Sequence, residues 1–294
     1  MTDQAAILRE KIQQLNKSKS KERIKGESKT LAIISGKGGV GKSNFSLNFA
    51  LTLQKSGSKV LIFDMDIGMG NIDILLGRKS NYTIVDFFRN EVNFKDIIMQ
   101  GPEGLEYIAG GSGLTDFVDM ESKLAEFFSH FQACIHEYDY IIFDMGAGIS
   151  TDSIKFILSV DEVIVITTPE PTSITDAYAT IKFVHLRKSD VPFYLVVNRT
   201  YSDRDGLETF NKIQQVLNKF LNKDIIQLGH IPDDPNVAQA VRRQIPFVFF
   251  NEKSEAAKSL KKIADRYGKQ EFNEPYFKGN NRFVSKLKRF LFER

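Results

Sequence analysis

The chain has 294 residues, 42% hydrophobic and 26% charged, enough to bury one sizeable core in a single α/β domain. Its one cysteine, Cys134, excludes an intramolecular disulfide framework and a cysteine-only metal cluster, and fits a reducing cytosolic setting. The net charge of +3 is uneven: residues 1–30 carry 8 basic and 4 acidic side chains, residues 276–294 carry 6 and 1, and the 245 between them carry 26 and 32, so an acidic body has two basic ends that call for partners of their own.

From the N-terminus, Ala5, Leu8, Ile12 and Leu15 recur at helical spacing, which predicts a short mobile helix that seeks a groove. The lysine- and serine-rich residues 17–29 read as a linker. No stretch approaches the roughly 18 to 20 apolar residues that cross a bilayer, so the chain is expected to be soluble or peripheral. From 31 to 267, β-rich runs alternate with helical patterns. Strands are predicted over 31–35, 59–63, 105–109, 140–143, 162–167, 193–197 and 225–228, with helices over 44–55, 121–137, 151–159, 173–188, 205–221, 237–242 and 254–267. That rhythm predicts a mostly parallel central sheet flanked by helices, a three-layer α/β/α fold with its ligand at the carboxyl ends of the strands. The domain plan is 1–30, helix and linker; 31–267, the body; and 268–294, a second linker and a terminal helix.

Between the first strand and the first helix, residues 35–43 read Ser-Gly-Lys-Gly-Gly-Val-Gly-Lys-Ser. Gly36, Gly41, Lys42 and Ser43 satisfy the phosphate-loop pattern G-x-x-x-x-G-K-[ST], with Gly38, Gly39 and Val40 inside it and Asn44 opening the helix. Small residues let backbone N–H groups close around phosphates, and the helix N-terminus adds its dipole. Lys42 is assigned to the β/γ-phosphates and Ser43 to Mg²⁺. An ordinary phosphate loop needs one lysine, so the second, Lys37, predicts a further anionic target.

Further along, Asp64 and Asp66 end a strand in Asp-Met-Asp-Ile-Gly-Met-Gly-Asn-Ile-Asp, closing on Asp73. The apolar run 138–143 ends in Asp144, the position of a magnesium-contacting carboxylate, and Gly148 behind it could let a backbone N–H approach the γ-phosphate. No histidine or cysteine nucleophile stands out, so catalysis is expected to be positioning and charge neutralisation. Asn198 ends another strand with an amide able to pair with a purine edge, Arg199 follows it, and Pro232 and Asp233 follow a later strand. No N-K-x-D guanine reader occurs, which favours ATP. In the tail, Phe283, Val284, Leu287, Phe290 and Leu291 share one helical arc with Lys286 and Arg289 opposite and Lys288 off the ideal faces, as expected of a helix lying in an anionic membrane interface, and one that could also fold back over a hydrophobic groove of the body in the monomer.

The loop with its second lysine resembles the deviant Walker A loop of the MinD/ParA family, and Asp64 to Asp73 resembles that family's first switch, D-x-D-x-G-x-x-N-x-D. The resemblance implies an ATP hydrolase with ATP/ADP and Mg²⁺ as ligands and an ATP-dependent homodimer in which Lys37 reaches the partner's nucleotide. It implies Lys37, Lys42 and Asp66 as the catalytic set, with Asp66 orienting the water. It also implies Ser43, Asp64 and Asp144 around the metal, and Asn198, Arg199, Pro232 and Asp233 around adenine. The second switch, Met145-Gly146-Ala147-Gly148, lacks the proline common in MinD. At the N-terminus, Asp3-Gln4-Ala5-x-x-Leu8-Arg9 is similar to the activator motif of the FlhG (YlxH/FleN) branch, which governs flagellar number and placement. That likeness implies stimulation of the signal-recognition-type GTPase FlhF, contacts to flagellar C-ring proteins, anionic membrane lipid as a partner, and a cytoplasmic protein reversibly peripheral on the inner face of the cell membrane. Two readings stand beside it. A division-site MinD would share the tail but not the N-terminal motif, and a partition-type ATPase would bind DNA, against which the tail's phenylalanines fit lipid better than phosphate.

Overall fold

Residues 31–34 are apolar at consecutive positions, as a strand covered on both faces must be, and all four are fully buried within strand β1 (Lys29–Ile34). The structure, a computed structural model, describes residues 28–66, 70–89, 91–111, 121–148, 151–187, 190–269 and 283–292. The N-terminal motif with Asp3, Gln4, Ala5, Leu8 and Arg9 lies outside the described residues.

In chain order the elements are β1, α1 (Lys42–Lys55), β2 (Val60–Met65), α2 (Asn71–Leu76), α3 (Ile84–Phe88), β3 (Ile98–Gln100), β4 (Glu106–Ile108), α4 (Glu121–Cys134), β5 (Tyr140–Met145), α5 (Thr151–Ser159), β6 (Glu162–Thr167) and α6 (Pro171–His185). They continue as β7 (Phe193–Thr200), α7 (Asp203–Leu221), β8 (Ile226–Pro232), α8 (Pro235–Arg242), α9 (Phe247–Phe250), α10 (Glu255–Gly268) and α11 (Phe283–Phe292). Eight strands form one sheet in the order β3-β4-β2-β5-β1-β6-β7-β8. Every pairing is parallel except β3 with β4, an antiparallel edge. β1 sits between β5 and β6, so the loop after it opens where strand order reverses, the crevice in which open α/β sheets hold their ligands.

Alternation along the strands divides the core. Leu31, Ile33, Val60 and Ile62 face the cluster that includes side chains of α1, α2, α8 and α10, whereas Ala32, Ile34, Leu61 and Phe63 face one built with α3 to α7. The body thus has the three expected layers. Four strands reach further toward their carboxyl ends than the sequence pattern predicts: β2 to Met65, β5 to Met145, β7 to Thr200 and β8 to Pro232. The reason is that polar residues of low β-propensity, Asp64 and Asp144 among them, sit in register across β2 and β5. The sequence also gave no sign of β3, α2, α3 or α9, which have three to six residues each, too few to show a period.

The tail forms the predicted helix, but its apolar side lies on the protein. Phe283, Val284 and Leu287 are buried in the core cluster against α4 and α5. Phe283 stacks on Phe143 with ring centroids 4.9 Å apart and meets Phe131 edge-on at 5.8 Å. Lys286 and Lys288 are half-buried, and Arg289 is exposed. No helix among the described residues is long and apolar enough to cross a membrane. Truncating a buried phenylalanine costs about 3–5 kcal/mol. Phe283→Ala is therefore expected to lower urea-unfolding stability by about 3 kcal/mol, and a loss below about 1 kcal/mol would mean that the helix contributes little to the folded body.

Candidate functional site

The loop from Ser35 to Gly41 joins β1 to α1. Gly41, at the helix N-cap, has φ +91°, a left-handed value that favours glycine, and a Cβ there would lie 2.4 Å from Asn198 Nδ2. A Cβ on Gly36 would lie 2.3 Å from the backbone carbonyl oxygen of Asp176, so α6 approaches the loop as closely as backbone allows.

Beneath this loop lies a buried ion pair. Lys42 Nζ is 2.7 Å from Asp144 Oδ1, with side chains 6% and 0% exposed, and 3.3 Å from Ser43 Oγ. Ser46, one turn along α1, donates its hydroxyl to the same Asp144 oxygen at 2.8 Å. Asp144 Oδ2 is buried and has no hydrogen-bond partner. That bare carboxylate oxygen beside the Ser43 hydroxyl is a hard-oxygen donor set that fits Mg²⁺ completed by water and phosphate. Among the described residues no group of three His, Cys, Asp or Glu side chains could hold a metal alone.

Asp64 is held by backbone donors. Its Oδ1 accepts from the Asp66 N–H at 3.0 Å, and its Oδ2 accepts from the N–H groups of Asn71 at 2.7 Å and Ile72 at 3.1 Å. These bonds clasp the first switch and the start of α2 to the carboxylate, and Oδ1, with a single donor, keeps a lone pair that a metal-bound water could use. Burial pushes its carboxyl up to about 6, with the three N–H groups opposing the shift and the charge of Asp144 adding to it. Asp66 is half-buried and accepts from Asn71 Nδ2 at 2.9 Å, which fixes its orientation. Asp73 accepts from the Ser80 hydroxyl at 2.7 Å, which ties α2 to the segment that follows it.

The remaining site residues gather round the same loop. The Gly148 N–H donates to the Ser35 carbonyl at 3.1 Å, tying the second switch to the phosphate loop. Asn198 donates its amide to the Val40 carbonyl at 2.8 Å, so it braces the loop whatever else it reads. Arg199 is exposed with φ +56°, and the Asp233 N–H donates to the Thr200 carbonyl at 2.9 Å, bringing the Pro232 turn beside the end of β7. Lys37 is held only loosely, 3.4 Å from Glu170 and 3.3 Å from the Thr172 hydroxyl, with 45% of its side chain exposed. Exposed pairs of this kind contribute at most about 1 kcal/mol, so Lys37 is free to leave. Sequence reasoning missed Ser46, Glu170 and Thr172. Ser46 had a legible signal, four residues after Lys42 and hence on the same helix face. Glu170 and Thr172 follow the carboxyl end of β6, where α/β sites collect.

A ParA family profile, described as NUBPL iron-transfer P-loop NTPase, matches residues 27–267. The antiactivator FleN of Pseudomonas aeruginosa is 32% identical over 237 residues, 80% of this chain and 85% of that protein. The flagellum site-determining protein YlxH of Helicobacter pylori is 35% identical over 257 residues, 83% of each. Among solved structures, the septum site-determining protein MinD of Pyrococcus horikoshii, complexed with Mg-ADP, superposes with a TM-score of 0.67 at 28% identity, covering 82% of this chain and 96% of that one. Burial pushes the thiol of the lone Cys134 up to about 11.

Removing Lys42 would leave Asp144 buried without its cation, which costs about 3–5 kcal/mol. Lys42→Ala is expected to lower the thermal midpoint and abolish nucleotide binding in a filter assay, and retained binding would contradict the phosphate assignment. For Asp64, a folded-state value raised to about 6 means that its stability contribution is complete below the unfolded value near pH 4 and is lost as pH rises through about 6. The stability of the wild type relative to Asp64→Asn should therefore fall between about pH 4.5 and pH 7; a flat difference in denaturant titrations would contradict the buried carboxylate.

Proposed function

The chain belongs to the ParA family of P-loop NTPases, and from that premise we propose that it is a MinD-like ATP hydrolase, a switch that sets flagellar number and placement. The observation that carries the reading is the pair of loop lysines in unlike settings. Lys42 is buried on Asp144, and Lys37 stands at the rim on contacts weak enough to exchange for a partner's phosphates. Similarity to FleN and YlxH supports the flagellar assignment over a division-site role.

In this mechanism the triphosphate draws Lys42 off Asp144 and into the loop, where backbone N–H groups and the α1 dipole also receive it. Ser43 and Asp144, with Asp64 acting through water, would hold Mg²⁺, which when bound neutralises charge on the β- and γ-phosphates. Asp66, oriented by Asn71, positions the attacking water. Lys37 leaves Glu170 and Thr172 for the nucleotide of a second copy, so ATP joins the two subunits. Asn198, Arg199, Pro232 and Asp233 line the adenine side, with Gly36, Gly38, Gly39, Val40 and Gly41 around the phosphates.

The docked tail gives the cycle a membrane output. Its apolar face rests on α5, which follows the second switch directly, so rearrangement of residues 146–148 on dimerisation would loosen the contact and release Phe283, Val284, Leu287 and Phe290 toward anionic lipid, which Leu291 would also enter. One such helix binds weakly and two linked ones bind through effective concentration. The monomer is cytoplasmic and the dimer peripheral at the inner face of the membrane, and the N-terminal motif around Gln4, Leu8 and Arg9 stimulates FlhF. C-ring proteins complete the partner set.

Asp66→Ala is expected to stop hydrolysis and to sediment with anionic vesicles only when ATP and Mg²⁺ are present. Sedimentation with duplex DNA instead would favour a partition-type ATPase. Deleting residues 2–21 should leave ATP binding intact and abolish the increase in FlhF GTP turnover, and undiminished stimulation would remove the activator role.

A further inference from the structure

We propose that Ser46 is a positioning residue for the metal-facing carboxylate, holding Asp144 in place while Lys42 is handed from Asp144 to phosphate. The inference rests on the nucleotide-site reading and adds a residue that the phosphate-loop pattern does not contain.

Ser46 is fully buried in α1, and its single hydroxyl proton has two acceptors within reach, Asp144 Oδ1 at 2.8 Å and the Lys42 carbonyl at 3.0 Å. A charged acceptor makes the stronger bond, so the carboxylate takes the proton and the helix carbonyl is the fallback. Asp144 therefore receives two donors on one oxygen, Lys42 and Ser46, and none on the other. Once Lys42 moves to the phosphates, Ser46 is the one donor left to Asp144 among the described residues.

The carboxylate needs that anchor for an electrostatic reason. Asp64 pairs in register with Asp144 on the neighbouring strand, close enough for the Asp144 charge to be felt at Asp64. With Lys42 gone, two neighbouring buried carboxylates repel, and a freely turning Asp144 has no preferred oxygen to present. Asp64 is already immobilised by three backbone N–H groups. Ser46 does the same for Asp144 on Oδ1 and so decides that Oδ2 remains bare for the ion. Because Ser46 belongs to the helix that begins at Lys42, it keeps its place when the lysine side chain moves.

A purely packing role predicts something else, because at a fully buried position alanine replaces serine with little change in volume. The test measures affinity of the full chain for a fluorescent N-methylanthraniloyl ATP, with Mg²⁺ and with EDTA, in the wild type, Ser46→Ala and Ser46→Cys. Outer-shell groups on metal ligands typically contribute 10–100-fold to metal affinity. The expected result for Ser46→Ala is EDTA affinity within about twofold of wild type and a Mg²⁺-dependent tightening reduced by roughly tenfold. Ser46→Cys, with its weaker donor, should fall between. Equal Mg²⁺-dependent tightening in all three proteins would overturn the proposal, as would a Ser46→Ala loss that is the same with and without Mg²⁺ while Ser46→Cys matches it. A wild type that fails to bind the nucleotide at all would instead overturn the nucleotide-site reading.

Discussion

A lysine and an aspartate, both buried and 2.7 Å apart, set the terms for everything else at the carboxyl end of this sheet. Neither can be left alone, since stripping one charge from a buried pair is among the most destabilising changes a fold can suffer. Whatever displaces Lys42 must therefore offer it an anion and must leave Asp144 with a new cation. A triphosphate carrying a divalent ion does both in one step, whereas phosphate or metal alone does only half. In the proposed cycle, what the site must give up would make it favour that pair of ligands over either alone.

The same strand that carries Asp144 carries Phe143, whose ring is stacked with Phe283 of the terminal helix. Adjacent residues of β5 thus face opposite tasks, one toward the phosphate loop and one into the aromatic cluster of Phe63, Phe131 and Phe283. The second switch then leads directly into α5, the main support of that helix. A connection from site to tail needs no long relay here. Asp64 restrains the first switch from β2 through three backbone hydrogen bonds, and the second switch is tied to the phosphate loop by the Gly148 N–H on the Ser35 carbonyl, so each switch is held by bonds that a ligand can compete for.

Much of the plan was legible in the sequence because it is local. The phosphate loop is nine consecutive residues, α5 and β6 ended where their patterns ended, and the sheet rhythm gave the layers. Side-chain partners were harder to read, because one chemical group fits several roles. The Asn198 amide can meet a purine edge or a carbonyl, and it donates to Val40. The Asp64 carboxylate can face a metal, cap a helix or do both, and the pattern gave no hint that it caps α2. The tail shows the limit most clearly: one-sided periodicity says that a helix has an apolar face, and not whether lipid or Phe143 covers it.

The account turns on triphosphate joining two copies through Lys37. The most direct measurement is molar mass in solution by light scattering, comparing ADP with a slowly hydrolysed ATP analogue, each with Mg²⁺, for the wild type and Lys37→Ala. Monomer with ADP, dimer with the analogue, and monomer in both for Lys37→Ala is the expected pattern. A wild type that binds the analogue yet stays monomeric at high concentration would contradict it.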